Sequence, residues 1–90
     1  MIKTPSNLNE ALQELESQLS DEDKEKIRNM KEWEFMKLSK IFVSDKLKSQ
    51  WLRPHDSPLR KYFIDLEVTN IDDMVDIVLR GLYKQLKDAD

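Results

Sequence analysis

Apolar residues recur along the chain at helical spacing, in segments that short polar turns separate. The first segment follows Asn7 and places these side chains on one face of a helix: Leu8, Ala11, Leu12, Leu15 and Leu19. Asn7 is a favoured helix-capping residue, and Glu10 stands three positions later, at the spacing of a capping box. The pattern therefore predicts a first helix that begins near Asn7.

A second helix is predicted to begin at Ser20, another favoured capping residue. The acids Asp21, Glu22 and Asp23 follow in its first turn, where the helix dipole favours negative charge. This helix is expected to be short and to end near residues 29–31.

The longest periodic segment spans residues 32–52. Its main apolar positions recur at steps of three, four and seven: Phe35, Met36, Phe42, Val43, Leu47 and Trp51. Further apolar residues widen this stripe: Trp33, Leu38, Ile41 and Leu52. Since a helix that is apolar on two sides contacts neighbours on more than one face, we predict one long central helix here. Pro54 ends it, because the residue before a proline avoids the helical region.

Ser57 and Pro58 restart the helical pattern, with serine at the cap and proline at the first helical position. A short helix follows them. The last helix is predicted over residues 71–87, where Asn70 and Asp73 repeat the capping-box spacing.

Only one glycine and three prolines interrupt the 90 residues, which favours helices joined by short turns. The predicted fold class is all-α, a compact bundle of about five helices, two of them short. We expect a single domain over residues 1–90, with residues 1–6 flexible and residues 88–90 frayed.

A domain of this size buries only about 60% of its extended-chain surface. We therefore expect nearly every large apolar side chain to lie in the core, with little room for an internal cavity. Large aromatic side chains at helical spacing usually pack inside, so a core position is favoured for both Trp33 and Trp51.

Residues 50–63, QWLRPHDSPLRKYF, hold the only histidine and two of the three prolines, and we interpret them as a corner between helices. His55, Asp56 and Ser57 are the residue types of a hydrolase triad, but three neighbours in a row do not reach the geometry that the mechanism needs. We expect Asp56 or Ser57 to cap the next helix instead.

One histidine and no cysteine exclude most zinc sites. The sequence therefore predicts no catalytic residues, no metal and no cofactor.

Charge is segregated along the chain, although the net charge is only −3. Residues 35–62 carry a net charge of +5, and the segments before and after them carry −4 each. The acidic ends suit a basic protein partner. The basic residues of the middle could instead meet nucleic-acid phosphates: Lys46, Lys48, Arg53, Arg60 and Lys61. The net negative charge disfavours that alternative, because it repels a polyanion.

No apolar run reaches the roughly 20 residues of a membrane span. The N-terminal sequence MIKTPSNLNEAL has no apolar segment of the signal-peptide type. We expect a cytoplasmic protein that has no membrane partner.

The stretches NLNEALQELESQLSDEDKEKI and SPLRKYFIDLEVTNIDDMVDIVL resemble a family of small acidic bacterial proteins known as a domain of unknown function. Members of that family often carry glycine where this chain has Glu67. They also often carry a segment with glycine and histidine where residues 39–45 read SKIFVSD. Proteins of this kind are similar to the small immunity proteins kept beside bacterial toxins, and this resemblance implies a protein-binding role.

We therefore predict a non-enzymatic protein-binding module, an immunity-type inhibitor that occludes a toxin or another basic partner protein. The candidate contact residues are at the corner, namely Trp51, Arg53, His55 and Arg60, since aromatic residues and arginines dominate interface energies. Asp21, Glu22 and Asp23 are the candidate steering charges. A monomer or a homodimer fits the sequence. The alternative is a nucleic-acid-binding or regulatory helical protein that uses the basic region 46–61.

Overall fold

The computed structural model describes residues 5–54 and 56–88, and of Phe42 it describes the backbone only. Helices and short turns account for nearly all of these residues. The helices are α1 (Leu8–Ser17), α2 (Asp21–Asn29), α3 (Glu32–Phe42), α4 (Ser44–Leu47), α5 (Pro58–Asp65) and α6 (Ile71–Asp88). A π-helical turn, Lys48–Leu52, directly follows α4. No strand occurs in these two ranges. The all-α prediction is therefore confirmed, although the structure has six helices and not about five.

Side-chain caps start four of the helices where the sequence predicts them. The cap oxygens accept hydrogen bonds from backbone amides of the first turns: Asn7 from Glu10 (2.9 Å), Ser20 from Asp23 (3.1 Å), Ser57 from Arg60 (3.4 Å) and Asn70 from Asp72 (2.8 Å). The two predicted capping boxes make hydrogen bonds that their sequence spacing did not predict. The Glu10 carboxylate accepts from the backbone and the hydroxyl of Ser6, and Asn70 bonds to Asp72 where the spacing suggested Asp73.

The centre of the bundle is α6, which packs against α1, α2, α3 and the π-helical turn. Its buried face consists of Met74, Val75, Val78, Leu79, Leu82 and Leu86. Gly81 lies opposite α1, where a Cβ atom would stand 3.3 Å from Leu12 Cδ1, so glycine permits close packing of these two helices. The prediction that residues 32–52 form the central helix is wrong.

Residues 32–52 are broken into three pieces because the backbone departs from regular α geometry at Val43 and again after Leu47. Val43 has φ −113° and ψ −30°, and it separates α3 from α4. The π-helical turn follows, and Arg53 N donates to Lys48 O over 2.7 Å, the five-residue bond of π geometry. The apolar stripe looks wide in the sequence mainly because Trp33, Leu38 and Ile41 are exposed on α3, away from its buried residues Phe35 and Met36.

Polar contacts join the end of α2 to the end of α6. Arg28 Nε donates to Leu86 O (3.0 Å), and Tyr83 Oη donates to Met30 O (2.5 Å). The rings of Tyr83 and Phe35 stack with centroids 5.5 Å apart. These contacts place α2 and α3 on the same side of α6.

The predicted flexible and frayed ends lie partly outside the described residues, which exclude 1–4 and 89–90. Ser6 donates two hydrogen bonds to the Glu10 carboxylate, and Pro5 is buried. Asp88 belongs to α6. Within the described ranges, no helix has the length and the apolar character that crossing a membrane requires.

Candidate protein-binding surface

The predicted corner is built by its own hydrogen bonds. Ser57 is buried, its hydroxyl donates to Trp51 O, and its oxygen accepts from Arg60 N as the cap of α5. The Arg60 guanidinium reaches back across the corner and donates through Nη1 to Arg53 O (3.0 Å). The Ser57 hydroxyl therefore has a structural role at this corner, where it joins the π-helical turn to α5.

The candidate contact residues at the corner do not form one exposed patch. Trp51 is only 3% exposed, which confirms the prediction of a core position and removes its side chain from the surface. Arg53 is exposed, and Arg60 is half-buried. His55 lies outside the described residues. A binding role for these positions stays a prediction.

The candidate steering charges are on the surface. Asp21, Glu22 and Asp23 are exposed in the first turn of α2, where Ser20 caps the helix. Glu22 pairs with Lys26 one turn later (3.5 Å). These acids therefore stabilise the start of α2 and also present negative charge to solvent.

The outer side of α3 presents the apolar surface that the sequence prediction missed. Trp33 is 64% exposed and Ile41 is 61% exposed, so the prediction of a core position for Trp33 is wrong. The physical reason is the helical register, since Phe35 and Met36 occupy the buried side of α3. We call the exposed residues Trp33, Lys37, Leu38, Lys40 and Ile41 the α3 face. Their spacing was visible in the sequence, but which side faces α6 was not.

Two ion pairs join the basic middle of the chain to the beginning of α6. Lys48 Nζ lies 2.6 Å from Asp72 Oδ1, and Lys40 Nζ lies 3.1 Å from Asp76 Oδ1. The hydrogen bond from Lys48, together with the charges of Lys48 and Lys40, lowers the pKa of Asp72 from its ordinary value of 3.8. Part of the positive charge of the middle segment is therefore neutralised inside the fold.

An apolar cavity of about 370 Å³ lies between α6 and the other helices. Its wall includes Leu15 of α1, Ile27 of α2, Phe35 of α3, Trp51 of the π-helical turn and Leu82 of α6. The cavity is partly open to solvent, so it differs from the enclosed internal cavity for which the sequence analysis expected little room. Among the residues that the structure describes, Lys46 is the one ionisable side chain of the wall, so the described wall has no cluster of acids and bases.

In residues 5–54 and 56–88, no three His, Asp or Glu side chains lie together as a metal-binding group.

The fold and the surface define a small all-α domain with an exposed apolar face on α3. The chain belongs to the family described as a domain of unknown function, DUF6794, which matches residues 4–86. No curated protein and no solved structure matches the chain.

Proposed function

We propose that the chain is a non-enzymatic protein-binding module of the immunity type, which occludes a toxin or another basic partner protein. The observation that carries this proposal is the α3 face. Isolated exposed apolar residues are ordinary on protein surfaces, but Trp33, Leu38 and Ile41 are all exposed on the same helix. Tryptophan is also enriched among the residues that dominate binding energies.

The charge of the molecule supports a basic partner. The chain has a net charge of −3, and the acids at the start of α2 are exposed. Such charges act over distances near the Debye length, about 8 Å at physiological salt, and they accelerate encounter with a positively charged protein. The α3 face supplies apolar contact, and the acidic turn supplies steering.

The ion pairs of the middle segment argue against the nucleic-acid alternative. Lys40 and Lys48 pair with Asp76 and Asp72, and the Arg60 guanidinium donates to Arg53 O. A phosphate backbone would have to compete with these contacts. Since affinity for nucleic acid depends mainly on the number of lysines and arginines that meet phosphates, this pairing favours a protein partner.

The proposal is tested by comparing three immobilised proteins in a lysate of the native host: the unaltered chain, Trp33→Ala/Ile41→Ala, and the control Ile64→Ala/Leu66→Ala. The control removes two apolar side chains that are similarly exposed, but near the end of α5. We expect one basic protein to bind to the unaltered chain and to the control. Its Kd for Trp33→Ala/Ile41→Ala should rise about 30-fold or more, the effect of losing a residue that contributes about 2 kcal/mol.

A further variant tests the sign of the partner's charge. Lys37 lies between Trp33 and Ile41 on the α3 face. Lys37→Glu should tighten binding of a basic partner, and the gain should shrink as salt is added. Equal capture by Trp33→Ala/Ile41→Ala, or weaker binding by Lys37→Glu, would refute this proposal.

A further inference from the structure

The apolar cavity has the size and the lining of a small-molecule site. Ligand pockets range from about 300 to 1,000 Å³ and are mostly apolar with a few polar groups. The cavity of about 370 Å³ fits this description, because Gln18, Ser39, Lys46 and Gln50 are the polar residues of a wall that is otherwise apolar. An apolar cavity of about 150 Å³ holds benzene, so on that scale this one holds about fifteen carbon atoms, which leaves room for a chain of a dozen.

The wall of the cavity, in the part of the chain that the structure describes, carries a single cation, Lys46. Lys46 is exposed on α4, and among the residues that the structure describes its ammonium has no acidic partner. The neighbouring lysines differ, since Lys40 pairs with Asp76 and Lys48 pairs with Asp72. An anionic group at the cavity wall would therefore meet Lys46, with the side-chain amide of Gln50 as a further donor, whereas the Gln18 amide donates to Glu14 Oε1 (3.4 Å).

The π-helical turn forms part of the same wall. Its residues Gln50 and Trp51 line the cavity, and the bond from Arg53 N to Lys48 O closes the turn. Turns of this kind are rare, and they occur frequently at functional sites. The adjacent residues Trp51 and Leu52 of this turn are both buried, and Trp51 lines the cavity.

We propose that this cavity binds a medium-chain fatty acid of about a dozen carbons. The alkyl chain lies against the apolar wall between α6 and Trp51. The carboxylate lies at the rim, where Lys46 Nζ donates a charge-assisted hydrogen bond to it. An alkyl chain suits a wall without a second ionisable group, and the lone cation selects a carboxylate over an ammonium or a hydroxyl head. This site is separate from the partner contact proposed above, although Leu38 borders both.

The chain contains a natural reporter for this site. It has two tryptophans, and Trp51 lines the cavity, whereas Trp33 is exposed on α3. In the variant Trp33→Phe, the tryptophan fluorescence therefore comes from Trp51 alone. Titration with sodium dodecanoate below its micelle concentration should give a saturable change in Trp51 emission, with one ligand per chain by calorimetry.

Charge selection is tested on the same background. Lys46→Met should weaken dodecanoate binding about tenfold, the loss of one partly exposed charge-assisted hydrogen bond, and should leave dodecanol binding unchanged. The control Lys61→Met removes an exposed lysine that does not line the cavity, and it should bind dodecanoate normally.

Val43→Phe places a larger side chain at the cavity wall and should abolish binding. If that variant fails to fold, Leu38→Phe serves the same purpose from the rim.

Three results would each overturn the proposal: no saturable response in folded Trp33→Phe, undiminished dodecanoate binding by Lys46→Met, or binding of dodecylamine as tight as that of dodecanoate. Loss of fatty-acid binding together with intact capture of the basic partner would count against this site alone. The opposite pattern would count against the α3 face alone.

Discussion

In the part of the chain that the structure describes, one residue, Glu67, has left-handed backbone geometry. Its φ is 66°, a region in which L-residues with a side chain are strained and glycine is not. The residue ends α5 in a Schellman motif, with Val68 N donating to Phe63 O and Glu67 N donating to Ile64 O, both at 2.9 Å. Val68 also packs against the core. This backbone geometry suits glycine, the residue that the resemblance noted in the sequence analysis implies for this position.

We therefore expect Glu67→Gly to stabilise the protein. Relief of the left-handed strain is worth about 1–2 kcal/mol, and the added freedom of glycine in the unfolded chain takes back about 0.5–1 kcal/mol. Urea unfolding should show a net gain of about 0.5–1 kcal/mol. Glu67→Ala is the matched control, since it removes the same carboxylate but keeps a Cβ, and it should give no comparable gain. An equal gain from both variants would show that charge, and not backbone strain, limits stability at this position.

At the scale of elements, the junction between the π-helical turn and α5 depends on one serine. The Ser57 hydroxyl donates to Trp51 O, and the same oxygen accepts from Arg60 N. Ser57 is buried, so neither partner regains water easily when the hydroxyl is removed. The sequence predicted the cap at Ser57, but its bond to Trp51 appears only in the folded chain.

Ser57→Ala should lower the free energy of unfolding by about 2–3 kcal/mol, because it removes a helix cap and also leaves a carbonyl without its partner. Ser20→Ala is the comparison, since Ser20 caps α2 with an exposed side chain and should cost about 1 kcal/mol. Chemical denaturation of both variants measures the difference. Equal costs would mean that the bond to Trp51 contributes nothing.

At the scale of the whole molecule, the charge segregation of the chain contributes to the fold. Lys48 meets Asp72 and Lys40 meets Asp76, although the partners of each pair lie more than twenty residues apart in sequence. These contacts hold the break region and the π-helical turn against α6. The sequence showed the opposite charges, but not that they neutralise each other within one chain.

The pair between Lys48 and Asp72 makes stability depend on pH. Since Lys48 lowers the pKa of Asp72 below 3.8 in the folded state, the pair stabilises the fold above pH 3.8, and its contribution is lost as pH falls through the lowered pKa. Asp72→Asn should therefore be less stable than the unaltered chain at neutral pH, and the gap should close in acid and also in high salt. Thermal unfolding across this pH range measures the effect.

Asp73→Asn is the matched control for that measurement. Asp73 also lies in the first turn of α6, and within the described ranges it pairs with no lysine or arginine. The control retains the Lys48 contact at Asp72, so it should keep most of the pH dependence that Asp72→Asn loses. Identical pH profiles for the two variants would contradict a specific role for the pair.

The sequence by itself determined where the four capped helices begin and which class of fold results. Caps at Asn7, Ser20, Ser57 and Asn70 act on backbone amides two or three residues away, so they can be recognised locally. The corner at Pro54 is likewise local, because proline restricts its own backbone and that of the residue before it.

Only the tertiary structure decided the path of residues 43–52, the opposite environments of Trp33 and Trp51, and the cavity beside α6. Both tryptophans belong to the same apolar pattern, but Trp33 is exposed and Trp51 is buried. The physical reason is that burial depends on which faces meet α6 and on where the backbone leaves α geometry. Those outcomes are set by contacts between residues distant in sequence, and no local pattern encodes them.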